Sequence, residues 1–255
     1  MTCANGLAGS HEKQAAATYA QIMRLAGQDG QGDTDTDAVF DAAVADLYAG
    51  RDAQHALRPQ LSFEDVPAPK KLAPRAAAIA ATVSVAVGWN SGQKSTADGD
   101  GDGDDEGEDV AWGRLVLLYD PHGQQGWAGE FRVIAYIRAD VEPEMAADPL
   151  LGQVSWSWLI EALDARAAGY AVPSGTVTRV VTEGFGSKQD EPAATGLEVR
   201  ASWSPVCPPV AGDGPVAAPA MSGHVAAWCD ALCAAAGLPP AAAGVSVMPR
   251  RRRHS

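Results

Sequence analysis

Cysteine and histidine are scarce in this sequence, which has 4 Cys and 5 His among 255 residues. The cysteines show no regular spacing, and a chain of this length can bury a core without cross-links, so a disulfide framework is not expected. No Ser or Cys has an identifiable imidazole base, which argues against nucleophilic catalysis. The glycine motifs of phosphate-binding loops and dinucleotide sites are also missing, and we therefore expect no cofactor.

Long hydrophobic runs and a broad excess of basic residues are missing as well. The least polar stretch, 76–89, is interrupted by Thr82, Ser84 and Gly88, and thus predicts neither a secretion signal nor a membrane span. The net charge is −13, and eight acidic residues fall within 97–109, so the rest of the chain carries −5. The rest of the chain therefore offers no broad basic surface that could bind the phosphate backbone of a nucleic acid. We expect a cytoplasmic protein that binds neither membranes nor duplex DNA.

Composition divides the chain into three parts. Residues 1–36 contain alanine-rich and Gly/Asp/Thr-rich stretches with little apolar area to bury, and we expect a flexible segment there. Residues 37–249 are expected to form a single α+β domain, interrupted by an acidic low-complexity loop at 97–109. Residues 250–255 form a basic tail with four consecutive arginines.

Hydrophobic periodicity predicts the elements of the domain. Apolar residues at spacings of three and four indicate helices, and alternation of apolar and polar residues indicates strands. The predicted elements are a helix at 37–50 that Gly50 ends, an edge strand at 61–66, a helix at 74–85 whose β-branched end is also compatible with a strand, strands at 115–119 and 131–142, a helix from 149, strands at 176–181 and 197–203, and a helix at 225–236 that Ser222 caps and Gly237 ends. The order α-β-α-ββ-α-ββ-α indicates an α+β fold, with an antiparallel sheet of paired strands and helices mainly on one face.

Four carboxylates lie at the end of the strand at 131–142 or just after it: Asp140, Glu142, Glu144 and Asp148. Two-metal nucleases place the acids that hold Mg²⁺ directly after such a strand. A simple strand exit, with Asp148 capping the next helix, is the interpretation we favour, because the later pair His224 and Asp230 is spaced too widely to complete a nuclease site. A metal-dependent phosphodiesterase that uses Asp140, Glu142 and Asp148 stays open as the alternative function.

Two other patterns have metal-ligating residue types. The alternating Asp and Gly of the acidic loop match a calcium-binding loop, but the final bidentate Glu and the flanking helices are missing, so a solvated loop is favoured. Cys229 and Cys233 lie near His224, as zinc ligands would, but they share the apolar face of the last helix. Burial in the core is therefore the favoured role of both thiols.

Arginine and tyrosine alternate with apolar residues along the strands, and they are expected to point away from the helices. Both residue types are enriched at protein interfaces. The residues assigned to this binding surface are Arg132, Tyr136, Arg138, Glu142, Glu144, Arg179 and Arg200. Two alternatives stay open: an ordinary solvated face with cross-strand ion pairs, and a nucleic-acid surface, which would need all four arginines on one face beside an exposed aromatic ring. The expected role is that of a non-enzymatic binding or regulatory protein with a protein partner.

Six motifs are long enough to compare with a known family. They are GRLVLL at 113–118, EPEMAADPLL at 142–151, WSWL at 156–159, SGTVTR at 174–179, RASW at 200–203 and WCD at 228–230. In these motifs the chain resembles the actinobacterial family catalogued as domain of unknown function 3000, from Val39 to the C-terminus. The resemblance implies no activity, because that family has none assigned. Its members are often encoded near a ribonuclease-D-like exonuclease, so the resemblance implies a context in RNA processing.

Overall fold

A computed structural model describes the chain over five ranges: 37–86, 107–166, 169–189, 194–209 and 217–239. The predicted flexible segment at 1–36 and the basic tail at 250–255 lie outside these ranges, as does most of the acidic loop. Within the described ranges no helix combines the length and the apolar character that crossing a bilayer requires.

The described residues form helices and one six-stranded antiparallel sheet, with strand order β1-β2-β3-β4-β6-β5. The elements are α1 at 37–57, β1 at Leu61–Asp65, β2 at Arg75–Val85, β3 at Glu108–Tyr119, β4 at Phe131–Asp140, α2 at Pro143–Ala147, α3 at Leu151–Ala165, β5 at Tyr170–Thr182, β6 at Ala194–Pro205 and α4 at Met221–Ala235. A 3₁₀ turn, Gly186–Lys188, lies between β5 and β6. The predicted fold class, α+β with an open antiparallel sheet, is confirmed.

The long helices pack against one face of the sheet, which we call the helix side. Phe40 of α1 stacks on Tyr119 of β3, with ring centroids 5.9 Å apart. α4 contacts β3, β4 and β6, and α3 contacts α4 and β5. The inward residues of these elements, among them the fully buried Trp203 and Trp228, form one continuous core. Burial of this apolar area is the main term that stabilises the fold.

The helix predicted at 74–85 is wrong, because this segment is strand β2. It pairs with β1 on one side and with β3 on the other. Ile79, Ala81, Val83 and Val85 point into the core at the strand period of two. Alanine favours helices and is depleted in strands, so the local propensity of this segment indicated the wrong state. Pairing with two neighbouring strands overrides that propensity.

Gly50 does not end the first helix, which continues to residue 57. A Cβ atom added at Gly50 would lie 2.7 Å from Ser222 Cα, so glycine is needed where α1 and α4 approach each other. Ser222 does not cap α4 with its own side chain. Its backbone N–H donates instead to Asp46 Oδ2 of α1, at 2.8 Å. These contacts tie the start of α4 to α1. The predicted stop at Gly237 is confirmed, since its φ of +72° ends the helix in the left-handed region.

Asp230 joins the three long helices. From α4 its carboxylate pairs with Arg58, just beyond the end of α1, and with Arg166 at the end of α3. Arg166 Nε donates to Asp230 Oδ2 at 2.7 Å. The Arg58 side chain is 7% exposed, so its charge depends on this carboxylate.

His224 is buried in the core beside Trp203. Trp203 Nε1 donates to His224 Nδ1 at 3.1 Å, which leaves the imidazole proton on Nε2. Burial lowers the pKa of His224 to about 4, and Asp46 opposes that shift. The imidazole is therefore a neutral structural acceptor, and His224 and Asp230 belong to two separate structural networks.

We expect the protein to lose stability in acid through His224. The pKa is 6.5 for an ordinary histidine and about 4 here, so the unfolded state takes up the proton first. The neutral imidazole contributes about 3 kcal/mol to the free energy of unfolding above pH 6.5, and this contribution is lost as pH falls towards 4. His224→Asn keeps an acceptor for Trp203 and removes the titration. Urea unfolding at a series of pH values should give a flatter curve for the variant in this window, and identical curves would contradict the assignment.

Candidate binding face

The face of the sheet opposite the helices, which we call the open face, carries the even-numbered residues of β4, β6 and the outer part of β5. The strand register brings them into cross-strand rows. Tyr136 lies between Arg114 and Arg200 in one row. In the next row Arg138 lies between Trp112 and Glu198. The helix side is mainly apolar, whereas the open face carries arginine and aromatic side chains over β4 and β6. Over β2 and β3 the open face holds a small apolar cluster, in which Val66 and Ala68 pack against Ala78, Val116 and Leu118.

Trp112, Tyr136, Arg138 and Arg200 form one group, which we call the aromatic–arginine patch; Tyr136 is half-buried and the other three side chains are exposed. The rings of Trp112 and Tyr136 meet edge to face, with centroids 5.5 Å apart. The Arg200 guanidinium lies 5.7 Å from the centroid of the Tyr136 ring. Arg200 also pairs with Glu198 at 3.2 Å. Arg138 is exposed and has no hydrogen bond or ion pair with any residue in the described ranges.

Tyr136 stays protonated in this patch. Its pKa is raised by burial first and by the negative charge of Glu198 second. A neutral phenol next to a carboxylate donates its hydrogen bond to that carboxylate. The Tyr136 ring is thereby held between Trp112 and Arg200, and the patch is organised before any partner arrives.

Arg132 lies on the open face as predicted, but it is buried, with only 7% of its surface exposed. Its guanidinium donates to Ser202 Oγ at 2.7 Å, Ser174 Oγ at 3.2 Å, Val172 O at 3.2 Å and Ser204 Oγ at 3.4 Å. All four acceptors are neutral, and no carboxylate among the described residues pairs with this arginine. Burial accordingly lowers the pKa of Arg132.

A pocket of about 710 Å³ opens beside Arg132 on the open face. One wall comes from the loop between β3 and β4, which carries Gln124 and Trp127. Gln124 Nε2 holds this loop by donating to Leu72 O at 3.1 Å and to Asp120 Oδ2 at 3.0 Å. The hydrogen bond from Gln124 is the largest cause that lowers the pKa of Asp120, and the hydrogen bond from the backbone N–H of His122 is the second. The floor consists of residues from β4, β5 and β6, including Arg132 and Arg200.

The segment from Glu142 to Asp148 does not join the open face. Ala146 of α2 is part of the core on the helix side, while Glu142 and Glu144 are exposed at the start of α2. Asp148 Oδ1 accepts a hydrogen bond from Leu150 N at 2.8 Å, directly before α3. The N-cap of α3 is Leu150 and no side chain caps this helix, so the predicted cap by Asp148 is wrong. The binding surface assigned from the sequence is therefore divided between two sides of the molecule.

The predicted metal ligands Asp140, Glu142 and Asp148 are not brought together. No group of three His, Cys, Asp or Glu side chains within the described ranges is arranged to hold a metal ion. Asp140 is exposed at the end of β4, while Asp148 lies next to the start of α3.

Arg179 lies on the helix side, because it pairs with the inward residue Leu197. It donates to the carbonyl oxygen of Asp148 at 2.8 Å and to that of Ala146 at 3.4 Å. A cation at the carbonyl end of a helix is a stabilising arrangement. The four arginines of the nucleic-acid alternative therefore do not share one face.

Cys229 and Cys233 are fully buried in the core, which confirms the packing role expected for them. Burial raises the pKa of the Cys233 thiol to about 11 and that of Cys229 well above its usual range. Both thiols are therefore protonated and unreactive near neutral pH.

Ser174, Ser202 and Ser204, which surround Arg132, were not expected from the sequence. Serine in a strand usually indicates an exposed position, and only the register of β4, β6 and β5 places three hydroxyls around one guanidinium. Trp112 of the patch was missed as well. The apolar core of β3 was predicted at 115–119, whereas the strand begins at Glu108 and includes Trp112.

Comparison with known proteins gives a single family. A family model described as protein of unknown function (DUF3000) matches residues 36–246, a range that contains every described helix and strand. No curated protein and no solved structure matches the chain.

Proposed function

The chain belongs to the DUF3000 family, whose function is unknown, and on that premise we propose that it is a non-enzymatic binding protein that docks a protein partner on its open face. The observation that carries the proposal is the aromatic–arginine patch. Its residues Trp112, Tyr136, Arg138 and Arg200 are the types that contribute most to protein interfaces. We propose further that this binding takes place in the cytoplasm and in the RNA-processing context that the family resemblance implies.

Charge determines which partner chemistry fits the patch. Arg138 has no carboxylate partner in the described part of the chain, and the Arg200 side chain is 68% exposed despite its pairing with Glu198. Trp112 and Tyr136 offer apolar area between these two charges. The complementary surface is a protein segment with a carboxylate next to apolar side chains. A long polyanion fits less well, because Glu198 and Asp140 border the same arginines and the whole chain carries −13.

The phosphodiesterase alternative has no comparable support. Its three carboxylates do not converge, and Asp230, the acid of the later His224 and Asp230 pair, is engaged by two arginines. No second candidate function is therefore put forward.

A photo-crosslinking experiment tests the proposal. A benzophenone side chain is placed at Thr178, which is exposed on the open face opposite Glu198, or at Gln153, which is exposed on α3 of the helix side. In the native host, irradiation should join one acidic protein to position 178 and not to position 153. Cross-linking to nucleic acid, equal cross-linking from both positions, or no cross-link from position 178 would overturn the proposal.

Removing the charge of Arg138 should weaken the complex. We expect Arg138→Gln to lower the affinity for the identified partner about tenfold, because the partner's carboxylate loses the exposed cation at the centre of the patch. The matched control is Gln153→Glu, which changes the net charge of the chain by the same amount on the helix side. Calorimetric titration of the partner with both purified variants measures the difference, and equal affinities would contradict the role of the patch.

A further inference from the structure

We propose that the pocket beside Arg132 binds a small organic oxyanion, with a carboxylate or phosphate head against the strands and an apolar body against Trp127. This site is separate from the aromatic–arginine patch, although Arg200 borders both, and it does not depend on the proposed function. Three features of the pocket carry the inference: a buried charge without a counter-charge, hydroxyl groups that are free to donate, and an apolar wall.

No carboxylate among the described residues balances the charge of Arg132. A buried guanidinium is normally paired with a carboxylate, because taking a charge out of water is costly. Here 93% of the residue surface is buried, and its four hydrogen bonds end on neutral oxygens. No Asp or Glu lines the pocket, whereas a second cation, Arg200, does. An anion that enters the pocket meets the positive potential of both guanidinium groups, Arg132 and Arg200.

The hydroxyl groups around Arg132 are oriented to serve an anion. Ser174 and Ser202 accept from Arg132, so their own protons point elsewhere. The two oxygens lie 3.3 Å apart, which satisfies the proton of one of them and leaves the other free to donate. Thr176 adds a further hydroxyl to the same lining. A hydrogen bond to an ionised acceptor is stronger than one between neutral groups, so the free hydroxyl favours a carboxylate or phosphate oxygen.

The opposite wall of the pocket is apolar and fixed in place. Trp127 and Ile134 line it together with Leu118. Trp127 N donates to Gln124 O at 3.0 Å, and Gly126 has a φ of +86°, which glycine adopts without strain. A volume of about 710 Å³ is in the range of small-molecule sites and exceeds the need of a bare inorganic ion. The ligand class that uses every part of the pocket is therefore an organic anion.

Calorimetric titration of the full chain with three probes tests the site. Benzoate carries a carboxylate, phenyl phosphate carries a phosphate, and benzyl alcohol has a similar ring without a charge. We expect at least one anion to bind at least about tenfold more tightly than benzyl alcohol, and the tighter of the two identifies the head group. Equal binding of all three probes, or no binding of either anion, would overturn the proposal.

Two threonine variants locate the binding. Thr176 and Thr178 are both exposed on the open face of β5, and only Thr176 lines the pocket. Thr176→Val should weaken binding of the preferred anion about tenfold, and Thr178→Val should leave it unchanged. Equal losses in both variants, or no loss in Thr176→Val, would show that the anion binds elsewhere.

A substituted carboxylate provides a test that does not depend on removing Arg132. Ser202→Asp places an acid at the position that already accepts from the guanidinium at 2.7 Å. We expect this variant to fold with a melting temperature no lower than that of the natural chain, because the new carboxylate pairs with the Arg132 guanidinium. For the same reason its affinity for the anion should fall at least about tenfold. Unchanged anion binding by folded Ser202→Asp would overturn the proposal. If that variant does not fold, the threonine pair decides.

Discussion

Asp230→Asn is expected to lower the free energy of unfolding by about 3 kcal/mol. Asparagine keeps the shape of the side chain and removes its charge, so Arg58 and Arg166 lose their shared carboxylate. Arg58 is almost completely buried and cannot recover hydration without separating α1 from α4. The melting temperature should fall by about 6–12 °C for a domain of this size.

Asp52→Asn is the matched control for Asp230→Asn, because Asp52 pairs with Arg51 at the surface, where its side chain is 69% exposed. Surface pairs contribute little, so this variant should stay within about 1 kcal/mol of the natural chain. Urea unfolding followed by circular dichroism measures both variants. If Asp230→Asn is as stable as Asp52→Asn, the carboxylate does not join the helices in the way described.

Gly175→Ala is expected to destabilise the protein by about 3 kcal/mol or more, through overpacking rather than through loss of charge. A Cβ atom at Gly175 would lie 2.4 Å from the carbonyl oxygen of Arg200 and 2.6 Å from Cζ3 of Trp156. The first contact is with the backbone of the neighbouring strand and the second is with a ring of α3, so neither can move away cheaply. Any shift of β5 would also displace Ser174 and Thr176 from the pocket.

Gly196→Ala serves as the control for Gly175→Ala. Gly196 lies in β6 of the same sheet, and an added Cβ would be 3.5 Å from Ala139 O, which is ordinary contact. Thermal unfolding should show a large loss for Gly175→Ala and a small change for Gly196→Ala. Similar losses would mean that any side chain at a strand glycine is harmful, and that the close approach of Trp156 has no special importance.

The architecture could be predicted from the sequence where one face of an element is clearly apolar. The alternation in β4 and the spacing in α4 identified both elements and their buried faces. Prediction failed at β2, where the helix propensity of alanine is overridden by strand pairing, and at Gly50, where the reason for glycine is contact with a helix distant in the sequence. Both errors concern tertiary contacts, which no local pattern records.

The candidate site could be predicted only in part, for a related reason. Alternation within β4 correctly placed Tyr136 and Arg138 on the same face as Arg200 of β6. The prediction that Arg179 belongs to the same surface was wrong, because the register of β5 against β6 places it on the helix side. The hydroxyls around Arg132 could not be found, since they come from two other strands: Ser174 from β5, and Ser202 and Ser204 from β6. A strand pattern indicates which residues share a face, but not which strands become neighbours.

Hydroxyl-radical footprinting most directly tests whether the open face is where this protein binds. Trp112 is 39% exposed in the patch and Met145 is 41% exposed at α2, so the two report on opposite sides at similar exposure. In the purified protein both should be oxidised. In fresh extract of its own cells, oxidation of Trp112 and Tyr136 should fall several-fold while that of Met145 is unchanged. Unchanged oxidation of Trp112 and Tyr136, or selective protection of Met145, would contradict binding at the open face.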